Sequence, residues 1–219
     1  MGMVCLGQKE GLVLFELAKN KENFHKENKM KFVQRFLGIC LFGMSVAMMT
    51  DNAIAALSDA QAVNKAGLQR MLSQRIARDF LMIGSNVDAQ NAQKDLDNNL
   101  ATFEQNLSEL QDYSKSKELK AQLSKVEQLW FSYRVKAISK PTKELAVEVL
   151  SLSEELLAAS EEMVALIQKT SAVQQAKLVN TSGRQRMLSQ RIAKSYLAMY
   201  WGINYPKADL ELNNAMQSY

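Results

Sequence analysis

Two short stretches of the 219-residue chain set a glycine, an arginine and a glutamine at spacings of three and four: Gly67, Arg70 and Gln74, then Gly183, Arg186 and Gln190. On a helix this spacing stacks the three side chains on one face, a turn apart. Glycine lets a ligand or a second helix approach the backbone, and arginine presents a planar fork of donors suited to a small oxyanion. Two such faces brought together would converge two guanidinium groups, which repel when the site is empty and are relieved by an anion between them. Ser73, Arg75, Ser189 and Arg191 are weaker candidates. Arg75 and Arg191 lie about 140° around the helix from Arg70 and Arg186. The serines, with Gln74 and Gln190, serve equally as interhelical hydrogen-bonding residues.

These positions belong to a repeat. The nine residues Gln69 to Ala77 recur unchanged as Gln185 to Ala193, and the match extends at the same offset from Asn64 to Asn180, from Gly67 to Gly183 and from Leu81 to Leu197. Packing asks only for apolar residues at the helical period, so it does not account for identical Gln, Ser and Arg in both copies.

Composition removes most catalytic chemistries. Residues 30–55 read as a signal peptide: Lys31 and Arg35, an apolar run from Phe36 to Met49, then the small-x-small site Ala53-Ile54-Ala55. That run is shorter than the roughly 20 residues that span a bilayer. The expectation is therefore a periplasmic protein released by cleavage, the alternative being a chain anchored by an uncleaved segment. Residues 1–29 read as a non-native or upstream extension, with translation starting at Met30. Cys5, Cys40 and His25, the only residues of their types, lie ahead of residue 56. This excludes disulfides, thiol or histidine catalysis and His/Cys zinc sites from the remainder. With no Gly-rich phosphate loop either, no enzyme, cofactor or metal is expected. Residues 56–219 hold 20 Lys and Arg against 18 Asp and Glu, too balanced for a nucleic-acid partner.

The elements that must position the arginines are helices. Apolar residues alternate by four and three through Leu96, Leu100, Phe103, Leu107 and Leu110, again through Leu119, Leu123, Val126, Trp130 and Tyr133, and from Leu145 to Leu166. The spacing predicts an all-α, up-down bundle of the four-helix type, with helices over 58–84, 89–112 and 116–138 and a long fourth from about 142. The fourth pattern runs on toward the second motif, predicting a protruding helix or a bend at Thr181-Ser182-Gly183. On the first motif helix Leu68, Leu72, Ile76, Phe80 and Ile83 form one stripe, expected to be core. Gly67, Arg70, Gln74, Arg78 and Leu81 form another on the opposite side.

The patterns Asn64-x-Ala66-Gly67-x-x-Arg70-Met71-x-Ser73-x-Arg75 and Asn180-x-x-Gly183-x-x-Arg186-Met187-x-Ser189-x-Arg191 resemble the signature helix of the PilJ-type sensory domain. This is the N-terminal domain of a type IV pilus chemotaxis transducer, similar to the P-box of nitrate/nitrite sensor kinases. The resemblance implies an extracytoplasmic helical bundle in which Arg70 and Arg186 hold a small anion, nitrate or nitrite, beside Gly67 and Gly183. It divides the chain into a first unit, 56–170, and the start of a second, 171–219. The second lacks counterparts of helix 3, helix 4 and most of helix 2, so either the sequence is a fragment or its surplus helices complete a bundle with another copy. No second apolar span, kinase or methyl-accepting segment follows in the sequence, and a free-standing binding protein or a fragment is the expectation. A carboxylate would suit an arginine pair as well as nitrate does. The alternative is an interaction module that docks a membrane receptor or other partner through the motif, with no small ligand.

Overall fold

The computed structural model of the chain describes residues 57–114, 116–170 and 175–219. The expected extension, signal peptide and cleavage site lie outside the described residues. Six helices are described: α1 (Asp59–Gly84), α2 (Ala89–Tyr113), α3 (Lys117–Ala137), α4 (Lys143–Thr170), α5 (Gln175–Tyr200) and α6 (Ala208–Ser218). No helix among the described residues is long and apolar enough to cross a membrane.

Side chains fix several ends. Ser58 caps α1 in a reciprocal box, its Oγ accepting from Gln61 N–H while the Gln61 side chain accepts from Ser58 N–H. Ser116 accepts from Leu119 N–H at the start of α3, and Thr142, after Pro141, accepts from Leu145 N–H at the start of α4. The α1–α2 turn places Asn86 and Asp88 at positive φ, a conformation these short polar residues tolerate. Gly202, at φ 68°, ends α5: its N–H bonds to the Met199 carbonyl and that of Ile203 to the Ala198 carbonyl.

Helices α1 to α4 run up and down around one core. Cross-links alternate in direction: Gln69 to the Phe103 carbonyl, Arg134 to Glu104, Lys125 to Glu162 and Gln74 to the Ser153 carbonyl. Leu72, Ile76 and Phe80 are fully buried, as their stripe requires, whereas Leu68 and Ile83 sit at its edge. Trp130 stacks on Phe103, ring centroids 3.9 Å apart, and meets Tyr133 edge-on.

The chain turns elsewhere than the motif's glycine suggests. α4, at 28 residues the longest of the described helices, ends at Thr170, and α5 returns antiparallel to it, with Lys194 on Ser153 and Arg191 on Glu154. No bend occurs at Thr181-Ser182-Gly183, through which α5 runs as unbroken helix. Two reversals after α3 bring α5 parallel to α1, and this is the most extensive pairing among the described helices. Among the described helices α6 packs on α5.

Candidate functional site

Because α1 and α5 run parallel and in register, the two copies of the motif face each other about a local two-fold. Their pairings cross reciprocally. Arg70 Nη2 donates to Asn180 Oδ1 at 2.6 Å, and Arg186 Nη2 to Asn64 Oδ1 at 3.4 Å. Arg70 Nη2 also reaches the Asn180 carbonyl at 3.5 Å. The glycines make room for this crossing. A Cβ placed on Gly67 would lie 3.3 Å from Arg70 Nη2, and one on Gly183 would lie 3.3 Å from Arg70 Nη2 and 3.8 Å from Arg186 Nη2. Both guanidinium groups therefore converge beside Gly183.

The two arginines differ in surroundings. Arg70 is only 2% exposed, and its Nη1 lies 3.4 Å from Glu161 of α4, whereas Arg186 is open to solvent. Burial is the main cause that lowers the Arg70 pKa from its ordinary value, Glu161 pulls it back up, and Arg184 and Arg186 lower it further. Arg70 Nε is buried without a hydrogen-bond partner. One carboxylate at the edge of hydrogen-bonding distance thus faces three cations, and the cluster favours an added anion. A cleft of about 410 Å³ between α4, α5 and α6 has Glu161, Arg184, Glu154 and Arg191 on its walls.

The remaining candidate positions separate from the arginine pair. Gln74 donates to the Ser153 carbonyl, tying α1 to α4, while Gln190 accepts from Arg78 Nη1 at 2.6 Å, tying α5 to α1. Ser73 and Ser189 donate to the carbonyls of Arg70 and Arg186 within their own helices. Arg75 lies 3.5 Å from Asp95, and Arg191 lies 2.5 Å from Glu154. Three residues at the site were not singled out by sequence. Asn64 and Asn180 carried a signal, being matched across the repeat; Glu161 carried none, since it comes from α4.

Farther along α1 and α5 two ionic groups are buried. Asp79 is fully buried and takes Arg78 and Asn99 as partners. Burial raises its pKa, against the lowering effect of Arg78 and Asn99. Lys194, which stands where the first copy has Arg78, is also fully buried, with Glu154 at 2.5 Å and Glu211 at 3.3 Å. At the helix ends the Trp201 ring packs against Gly84, where a Cβ would come within 2.1 Å of it. Both ends of the α1–α5 contact thus use glycine for close approach.

No curated protein and no solved structure gives a significant match to the chain. The family model of the type IV pili methyl-accepting chemotaxis transducer N-terminal domain matches residues 55–153 and again residues 168–219, so the two matched segments carry the two motif helices that meet at the arginine pair. The chain belongs to the PilJ family of sensory N-terminal domains of chemotaxis transducers.

Proposed function

We propose that this chain is an extracytoplasmic sensory module that binds one small planar oxyanion, nitrate or nitrite, between Arg70 and Arg186. The observation that carries the reading is the convergence of both guanidinium groups beside Gly183, each anchored to the asparagine of the opposite helix. The site lies within one chain, because the paired motif helices are α1 and α5 of the same molecule. Arg186, on the open side, gives the anion its approach, and Arg70 supplies a desolvated charge behind it. In the empty state the arginines repel across the helix pair; an anion between them reverses that term and favours closer packing of α5 on α1. Periplasmic placement follows from the signal-like residues 30–55.

One observation favours a second reading. Arg70 is already engaged by Glu161 and Asn180, as in an interhelical contact that docks helices without a small ligand. Thermal unfolding at low ionic strength separates the two. A ligand present at a hundred times its Kd adds about 2.7 kcal/mol to the folded state. Nitrate should raise the melting temperature saturably where equal chloride does not, and Arg186→Ala should abolish the rise without loss of helicity. Equal responses to nitrate, acetate and chloride would favour the docking reading.

A further inference from the structure

Helices α4 and α5 run antiparallel, and Glu154 of α4 meets Arg191 of α5 at 2.5 Å. About two helical turns separate residues seven apart, so stepping forward along α4 and back along α5 from that pair sets Glu161 opposite Arg184. All four side chains line the same cleft. Glu161 is nevertheless drawn to Arg70 of α1, and Arg184, which is exposed, has no hydrogen-bond or ion-pair partner among the described residues. Arg184 also breaks the match between the repeats, standing where the first copy has Leu68.

The contact that holds Glu161 is loose. Its oxygen lies 3.4 Å from Arg70 Nη1, whereas a tight charge-assisted bond is roughly 2.7–2.9 Å long. The Glu161 side chain is 44% exposed, against 3% for Arg70, so the carboxylate can leave for water or for another cation at small cost. Asn180 already holds Arg70 Nη2. Nη1 is therefore the terminal nitrogen left to an incoming anion, and it is the one that Glu161 faces.

We propose that Glu161 is the resident counter-anion of the site: it screens Arg70 while the site is empty, and an entering oxyanion displaces it across the cleft onto Arg184. The proposal rests on the anion-binding reading of the arginine pair. In the empty site one carboxylate serves three cations. In the occupied site the oxyanion lies between Arg70 and Arg186, and Glu161 faces Arg184, so each negative group has its own positive partner. Binding thus replaces a link between α1 and α4 by one between α4 and α5, which passes occupancy of the site to a third helix. It also sets the affinity, because each oxyanion competes with Glu161 for Arg70.

Calorimetric titration of nitrate into the full chain at low ionic strength tests the proposal by comparing wild type with Glu161→Gln. Removing the competitor should tighten binding roughly three- to fivefold, the upper range for an ion pair with one exposed member; loss of a merely structural pair would not tighten it. Glu162→Gln removes the same charge one residue away, from a pair with Lys125, and should leave the affinity within about 1.5-fold of wild type. Arg184→Gln should weaken binding in the wild type and weaken it less in the Glu161→Gln background, a coupling that independent charges do not give. Equal or weaker binding by a Glu161→Gln protein of unchanged helicity would overturn the proposal and leave the anion site standing. Absence of saturable nitrate binding to both proteins would remove the anion-binding reading itself, and the proposal with it.

Discussion

Replacing Gly183 with alanine should stabilise the fold while weakening its hold on an anion. In a helix interior alanine is favoured over glycine by about 1 kcal/mol. The added Cβ would lie 3.3 Å from Arg70 Nη2 and 3.8 Å from Arg186 Nη2. Those atoms end flexible side chains, so they yield by a few tenths of an ångström instead of forcing α1 and α5 apart. The expected net effect on stability is a gain of up to about 1 kcal/mol, which in a domain of this size raises the melting temperature by roughly 2–4 °C. The same displacement moves both donors off the point where they converge. Losing one charge-assisted hydrogen bond costs about 1.5–3 kcal/mol, which makes nitrate binding roughly ten- to a hundredfold weaker. Thermal unfolding without ligand and calorimetric titration with nitrate read the two effects on one protein sample. A Gly183→Ala protein that binds nitrate as tightly as wild type would refute the assignment of this glycine to the arginine pair. A large loss of stability would show that the helices, not the side chains, fill the space beside it.

Further predictions concern α1 and α5. Gly84→Ala puts a methyl within 2.1 Å of the Trp201 ring and should cost about 1–3 kcal/mol by overpacking; the loss should be largely recovered in a Gly84→Ala, Trp201→Leu double variant followed by urea unfolding. Lys194→Ala leaves Glu154 and Glu211 without their shared cation and should destabilise by about 3–5 kcal/mol, read in the same assay. The Asp79 carboxyl has a pKa raised above 3.8, chiefly by burial, so the folded state holds its proton at pH values where the unfolded state has lost it. Its contribution is therefore most favourable below 3.8 and falls as pH rises through the folded-state pKa. Asp79→Asn should flatten that fall in denaturant titrations run from pH 4 to 7, and an unchanged slope would assign the pH dependence to other groups.

Helix ends were legible where side chains cap them: Ser58 with Gln61, Ser116 and Thr142 lie within a residue or two of the expected starts of α1, α3 and α4. The reversal between α4 and α5 was not, because residues 168–177 contain neither glycine nor proline and the apolar seam gives no stop signal there. Gly183 suggested a break for the ordinary reason that glycine weakens helices, but its lack of a side chain is used for close approach within an intact one. Arg70 and Arg186 stood out because packing does not require them twice. The crossing to Asn180 and Asn64 depends on α5 lying parallel to α1, which no spacing within a single helix encodes. Glu161 enters from a third helix and belongs to the same class of long-range contact.

The most direct test of the account is the stoichiometry of nitrate binding, measured by calorimetric titration into the wild type, Arg70→Ala and Arg186→Ala proteins at low ionic strength. An intramolecular site built by both motif copies predicts one nitrate per chain, whatever the oligomeric state. Either substitution should weaken the affinity at least tenfold without loss of helicity. Absence of saturable binding to a folded wild-type protein, or binding that survives removal of either arginine, would contradict it.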